Sequence, residues 1–301
     1  MEAIDDEVDG ESSDRPSVRQ PFAGVSTYLS SGLERSGMID VRFSEDELAA
    51  RFDHIVAFIR EQVDAAGVDG AVLGLSGGID SSLTAYLAVE ALGQAGVRGL
   101  VLPGVVTAPE STSDGERVAN ELGIDYDVIE IAPVVEQLVA AYPDATDDHE
   151  AVGNARARIR AVFNYLVANH ENRLVLGTGN RSEAAVGYFT KYGDGAVDCH
   201  PIGNLYKAQV RQLARYVGVA DDLVEKPPTA ELWEDQTDEG ELGFDYDTLD
   251  SILALHVDGP LSVDATARQL DVETSLVERV RGMYEATAHK RSVPPTPEIL
   301  R

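Results

Sequence analysis

The chain has 301 residues, 44% hydrophobic and 26% charged, with 24 basic against 53 acidic side chains and a formal charge of −29. This is a globular composition, long enough for one large domain or two ordinary ones, and so acidic a balance excludes a general nucleic-acid-binding surface, which needs a Lys/Arg footprint. The single cysteine, Cys199, excludes an intrachain disulfide and a cysteine-based zinc cluster, and no apolar run approaches the roughly 20 residues of a bilayer span.

Residues 1–20 carry seven acids and few apolar groups, so they are expected to form a disordered acidic leader ahead of one domain over 21–301. That start lacks the basic and apolar regions of a signal peptide, which points to a cytoplasmic protein. Order is expected from Phe43, with Ser44 and Glu47 as a capping box for a helix that presents Leu48, Phe52, Ile55, Val56, Ile59 and Val63 at helical spacing. The apolar run 71–75 predicts a buried strand, followed by a glycine turn and a helix over 81–92. Further strands are predicted over 98–102, 126–131 and 174–176. Helices are predicted from a Ser113 cap to Leu122 and over 151–168. The last strand runs into a second glycine turn, Gly177-Thr178-Gly179, and the chain beyond Lys207 reads as mostly helical, interrupted by a polar loop over 234–243. Strands alternating with helices predict an α/β fold, a parallel sheet flanked by helices, with C-terminal helical additions.

The basic side is skewed as well, with four lysines beside twenty arginines. A charge of −29 repels itself at low salt, whereas at about 1 M salt the screening length is only roughly 3 Å. Acidic residues recur in nearly every polar segment, as expected of a protein adapted to a salt-rich cytoplasm.

The sharpest local signal is Gly74-Leu75-Ser76-Gly77-Gly78-Ile79-Asp80-Ser81-Ser82, between a predicted strand and a predicted helix. Glycines allow positive φ and close backbone approach, and N–H groups at a helix start favour a phosphate. Ser76, Ser81 and Ser82 add hydroxyls. An aspartate would repel a bare phosphate, so Asp80 suits a Mg²⁺ held by phosphates; the alternative is a plain turn with Asp80 as the helix cap. Neither a Walker-type loop, which needs a lysine, nor a complete dinucleotide fingerprint is present.

Ser-Gly-Gly-x-Asp-Ser resembles the loop of the ATP pyrophosphatase superfamily, whose members cleave ATP between the α and β phosphates. The segment over 176–198, with Gly177-Thr178-Gly179, Glu183 and Phe189-Thr190-Lys191-Tyr192-Gly193-Asp194-Gly195, ending at Asp198, closely resembles the NAD synthetase family within it. Asn154-Ala-Arg-Ala-Arg158, Leu205-Tyr-Lys207, Lys226-Pro-Pro-Thr229, the run Thr237 to Gly243, and His289-Lys290-Arg291 extend the likeness over roughly residues 43–295. Asn204 and Glu231 depart from expected aspartates. The resemblance implies a Rossmann-like adenine nucleotide alpha hydrolase fold and ATP-dependent amidation of deamido-NAD by ammonia through an adenylate, releasing AMP and pyrophosphate. It implies that Gly74, Leu75, Ser76, Gly77, Gly78, Ile79, Asp80, Ser81, Thr178, Lys207 and Thr229 bind ATP, with Asp80 and Glu183 holding Mg²⁺. Arg158, Lys191, Asp198, His289 and Lys290 would meet deamido-NAD, and Asp80, Glu183 and Lys191 would be catalytic. Glu183 has a second reading, as a carboxylate favoured at a helix start.

All four lysines lie in the second half of the chain, and Lys191, Lys207 and Lys290 fall inside these segments, as local cation sites for polyanionic substrates in an acidic protein. Cys199 beside His200 reads as structural, since sequence neighbours rarely face each other for catalysis, and free ammonia is the expected nitrogen donor. A homodimer is implied by the family. Another ATP-dependent amidating or thiolating ligase, or a non-catalytic adenine-nucleotide sensor, remain as alternatives. The polar loop over 234–243 is a candidate lid.

Overall fold

Four short strands form the sheet, the inner ones mostly apolar and buried and the edge strand Asp125–Val128 largely polar. In the computed structural model, which describes residues 38–104, 107–229 and 237–297, β1 (Ala71–Gly74), β2 (Val97–Val101), β3 (Asp125–Val128) and β4 (Leu174–Val175) pair in parallel in the order β3-β2-β1-β4. These residues fall in one unit, Ser36–Arg301; the expected leader and Glu231 lie outside the described residues.

Side chains alternate across each strand, so neighbouring residues of β1 serve different layers. Ala71 and Leu73 pack with Ile55 and Ile59 of α1 (Glu45–Ala66), Leu83 and Leu87 of α2 (Ile79–Leu92), and Val210 and Leu213 of α7 (Lys207–Val217). Val72, between them, faces Leu100, Val175, Ile131 and Ile159 of α5 (His149–Glu171). Each such side chain contributes about 1.5–3 kcal/mol by leaving water. A third cluster joins α6 (Arg181–Val186) to α10 (Tyr246–Ile252), α11 (Val263–Leu270) and α12 (Thr274–Ala286) through Ala185, Val186, Leu249, Ile252, Leu270, Val277 and Val280. The α/β sheet and the helical additions are therefore as the sequence predicts.

The boundaries differ where local signals compete. The Ser44–Glu47 capping box forms as predicted. In contrast, α3 (Pro109–Leu122) starts at Pro109 with Ala108 as its N-cap, four residues before Ser113, because proline's fixed φ suits the first helical turn. The predicted third strand stops at Val128, and Pro133 helps to open an additional helix, α4 (Ala132–Ala141), where none was expected. α5 outruns its predicted 151–168 span at both ends. Within the described part of the polar loop, Asp238–Leu242 forms a short helix, α9; residues 234–236 lie outside the described residues.

Strand order decides where a ligand can lie. From β1 the chain winds outward through β2 and β3, then crosses back to place β4 on the other side of β1. The connections leaving β1 and β4 diverge, and the crevice beyond their carboxyl ends is where open α/β sheets bind ligands. The glycine turn over 74–78 follows β1, and Gly177-Thr178-Gly179 follows β4 as a loop that carries no turn.

Candidate active site

Gly77 has φ +76°, and a Cβ there would lie 2.4 Å from the Ser111 carbonyl oxygen and 2.9 Å from Asp114 Cβ, so the tight turn between β1 and α2 requires glycine. The serines knit the turn together. Ser81 Oγ and Ser82 Oγ donate to the Gly78 carbonyl at 3.0 and 2.9 Å, and Ser76 Oγ accepts from the Gly78 N–H at 3.3 Å. Ser81 and Ser82, expected as outward hydroxyl donors, are thus engaged in holding the loop, and Ser82 is buried.

Beside this loop lies a buried charge cluster. Lys207 Nζ, on a side chain with a residue exposure of 1%, donates to Asp80 Oδ2 at 2.6 Å and to Glu183 Oε1 at 3.0 Å. Its ammonium also stands 5.0 Å from the centre of the Tyr246 ring. Burial alone would lower the Lys207 pKa, but the two carboxylates more than reverse this and hold it above its ordinary value, so it is a fixed cation. Burial pushes Glu183 up to about 7, with Lys207 pulling it down and Asp80 adding to the rise.

Local structure places both acids. α2 is capped by Gly78 with no side-chain bond, so Asp80 is free of the capping role and accepts from Asn180 Nδ2 at 2.8 Å. Asn180 is also the N-cap of α6 and forms a capping box with Glu183. The helix-start reading of Glu183 holds, and the same side chain also accepts from Lys207. Asn180 was missed as a site residue, although Asn-x-x-Glu is a legible start signal.

A cavity of about 910 Å³ opens over the cluster. Of the expected residues, Gly74, Leu75, Ser76, Gly78, Ile79, Asp80, Ser81, Thr178, Glu183, Lys207, Thr229 and Lys290 line it. Asn154, Arg160, Lys226 and Asp238 line it too, without having been assigned roles. Lys226 Nζ donates to Asp114 and Ser111, and Asp238 accepts from the Tyr246 hydroxyl at 2.8 Å. Gly77, Arg158, Lys191, Asp198 and His289 do not line the cavity.

Most of these outlying residues form a second group. The Arg158 guanidinium donates to the Lys191 carbonyl at 3.3 Å, and Lys191 Nζ donates to the His289 carbonyl at 2.5 Å. Lys290 Nζ donates to the carbonyls of Gly187 and Phe189, which joins this group to the cavity lining. Asp198 stands beside β4, accepting from the Val175 N–H and the Tyr165 hydroxyl. Lys191, expected with Asp80 and Glu183 as catalytic, belongs to this group. Cys199 bridges Leu176 through backbone, and burial with Asp198 nearby pushes its thiol up to about 11, the reverse of an activated nucleophile.

Among the described residues no three His, Cys, Asp or Glu side chains converge as a metal cage. Asp80 and Glu183 each turn one oxygen to Lys207 Nζ and the other to Asn180, so a cation would have to share with the ammonium the two hard carboxylates that lie beside the phosphate-type loop. Such a pair suits Mg²⁺, which commonly takes one or two carboxylates and completes its shell with phosphate oxygens and water. No helix among the described residues is long and apolar enough to cross a membrane.

The NAD synthase family profile matches residues 51–294. The chain is 62% identical over 259 residues to an NH(3)-dependent NAD(+) synthetase of Halobacterium salinarum, covering 86% of this chain and 97% of that one. Among solved structures it resembles the NMN synthetase of Francisella tularensis, with 34% identity, a TM-score of 0.74 and coverage of 85% and 100% of the two chains. It also resembles the NH3-dependent NAD synthetase of Campylobacter jejuni, with 30% identity, a TM-score of 0.70 and coverage of 83% and 99%. A match across that span, with the loop and charge cluster in place, means that the chain belongs to the NAD synthase family.

Proposed function

We propose that this chain converts deamido-NAD to NAD, using ATP to activate the nicotinic-acid carboxylate and free ammonia to amidate it. The observation that carries this reading is Lys207 held between Asp80 and Glu183, beside the glycine turn and at the wall of a cavity with room for a nucleotide. The substrate carboxylate oxygen attacks the α-phosphorus of ATP and pyrophosphate leaves. Ammonia nitrogen then attacks the activated carbonyl carbon, AMP leaves, and a proton is lost. Both steps need alignment and charge stabilisation rather than a protein nucleophile.

In this reading the turn 74–81 holds the triphosphate, with Thr178 and Thr229 as further ATP contacts. Lys207 supplies a cation that stays charged at all working pH values. Asp80 and Glu183 would hold Mg²⁺, which when bound draws negative charge from the phosphate oxygens. Arg158, Lys191, Asp198, His289 and Lys290 receive the deamido-NAD side. Ammonia as the direct donor is supported by the name of the Halobacterium salinarum relative and by Cys199, whose burial disfavours the thiolate a nucleophile needs.

A homodimer is part of the proposal. Val134 and Leu138 of α4 and Tyr142 at its end recur every four residues and are 44%, 50% and 66% exposed, and Val162 and Leu166 of α5, the helix α4 packs against, are 65% and 60% exposed. Exposed apolar residues on two packed helices fit a second copy, and Arg158 lies one turn along α5 from Val162, which brings the dinucleotide side near that face. A salt-rich cytoplasm suits the charge of −29 and the halobacterial relative.

The test is pyrophosphate and NAD formation from ATP, Mg²⁺ and deamido-NAD in about 1 M KCl, where screening is strong, with ammonium and glutamine compared. Ammonium-dependent NAD is expected. Nicotinic acid mononucleotide serves as an alternative acceptor, because one structural relative is named an NMN synthetase. Faster turnover of the mononucleotide would overturn the dinucleotide assignment, and ATP binding without pyrophosphate release would favour a sensor.

A further inference from the structure

Behind the charge cluster lies a carboxylate with no place in the reaction. Asp250 on α10 is 1% exposed, and among the described residues no ion pair neutralises it. Burial pushes its carboxyl up to about 6, against the pull of its hydrogen bonds. Its two oxygens are used on two different elements. Oδ1 accepts from the hydroxyl of Ser182, the residue before Glu183 on α6, and Oδ2 accepts from the Ala208 N–H, in the first turn of α7, at 2.9 Å. The Ser182 hydroxyl in turn accepts from the Lys207 N–H at 3.0 Å, and Ser182 is fully buried.

These bonds join the two chain segments that meet in the cluster. Glu183 and Lys207 are 24 residues apart in sequence, yet their side chains are held 3.0 Å apart. Each is anchored one residue away, by Ser182 and Ala208 respectively, to the same carboxylate. One turn earlier on α10, Tyr246 places its ring beneath the Lys207 ammonium. Farther along, Asp258 binds the Arg181 guanidinium and accepts from the Tyr206 hydroxyl at 2.7 Å, fastening the same two elements again. A neutral residue could fill this space, but only a carboxylate offers two strong acceptors to an unpaired helix N-terminus and a hydroxyl together.

We propose that Asp250 is a positioning residue that acts through Lys207, fixing the backbone of Lys207 and Glu183 so that the ammonium stays set at the phosphate-binding turn. This rests on the reading of Lys207 as the cation for the nucleotide phosphates. A misplacement on the scale of 1 Å can cost on the order of 100-fold in rate, so Asp250→Asn should lower kcat for pyrophosphate release by about 10- to 100-fold. KM for ATP should move far less, since only charge build-up in the transition state depends on the exact position. Ser182→Ala, a smaller change, should shift kcat in the same direction.

The deciding measurement is a pair of mutant cycles on the full-length protein in ammonium, Mg²⁺ and KCl, with folding checked by circular dichroism and thermal melting. In a Lys207→Gln background, Asp250→Asn and Ser182→Ala should each cost less than about two-fold more, because the group they position is gone. A merely structural role would instead lower the melting temperature while kcat per folded molecule stayed at the wild-type value, and would overturn the proposal. So would losses that multiply with that of Lys207→Gln. If Asp250→Asn does not fold, Ser182→Ala alone decides by the same criteria. If Lys207→Gln keeps wild-type activity, the reading of Lys207 itself falls, an outcome distinct from a silent Asp250.

Discussion

Adding one methyl group at Gly77 should damage both fold and nucleotide binding. The new Cβ would lie 2.4 Å from the Ser111 carbonyl oxygen and 2.9 Å from Asp114 Cβ, so loop and helix must separate by about 1 Å to restore ordinary contact near 3.5 Å. Neither neighbour can yield cheaply. Asp114 is tied to Lys226 at 2.9 Å and to Arg117 at 3.6 Å, and a Cβ on Gly115 of the same helix would already lie 2.9 Å from the Leu75 carbonyl. The left-handed conformation costs alanine about 1–2 kcal/mol and the overlap about 1–3 kcal/mol more, less a gain of about 0.4–1 kcal/mol from a stiffer unfolded chain. The net expectation for Gly77→Ala is about 3 kcal/mol.

Gly67 supplies the control. It caps α1 at φ +66°, but a Cβ there meets nothing within 4 Å, so Gly67→Ala should carry the backbone cost alone, about 1 kcal/mol. Urea denaturation of the two variants isolates the steric contribution. KM for ATP should rise about ten-fold or more in Gly77→Ala, the equivalent of about 1.4 kcal/mol of lost binding, and stay unchanged in Gly67→Ala. Equal destabilisation of both variants, with ATP affinity intact, would refute the account of the turn as seated against α3.

Asp80→Ala should cut pyrophosphate release by ~10²–10³-fold or more while leaving the circular dichroism spectrum intact, and activity surviving at saturating Mg²⁺ would remove the metal assignment. Leu138→Glu, which puts a charge in the exposed stripe of α4, should shift the protein toward monomer in light scattering, and an unchanged mass would place the interface elsewhere. Raising KCl from about 0.1 to about 1 M shortens the screening length from ~10 to ~3 Å, so the melting temperature should rise; a fall would sink the salt-adaptation argument. Burial lifts Asp250 from 3.8 to about 6 in the folded chain, so that chain binds the proton more tightly than the unfolded one. Its stabilising contribution is complete below about pH 4 and is lost as pH rises through about 6, hence Asp250→Asn should gain stability relative to wild type across that window, and a flat difference in melting temperature would refute the shift.

The parts of this fold that could be read from sequence were those encoded by neighbours. The apolar run before Gly74, the Ser44–Glu47 capping box and the glycine turn over 74–78 each depend on residues within a few positions of one another, and all formed where expected, whereas residues 177–179 carry no turn. α4 was missed because its valines suit a strand as well as a helix, and packing against α5 decides between them. The capping box at Asn180 was legible in principle, but its second task, bonding to Asp80 a hundred residues earlier, was not.

The charge cluster shows why some site residues stood out and others did not. With 53 acids in the chain, one more Asp or Glu carries almost no information, and Asp250 looks like any surface acid until its burial is known. Lysine is the reverse: with only four in 301 residues, each position is informative. Lys207 pairs with Asp80 and Glu183, Lys226 with Asp114, Lys290 with the carbonyls of Gly187 and Phe189, and Lys191 with that of His289. Three of these lysines, Lys207, Lys226 and Lys290, line the cavity, and Lys191 lies in the group beside it. An acidic protein can keep its overall negative field and still receive polyanions only if its cations are fixed where phosphate must lie. Backbone carbonyls do this for Lys191 and Lys290 and carboxylates for Lys207 and Lys226, and Asp250, bonded to the Ala208 N–H beside Lys207, is a support that only the fold could disclose.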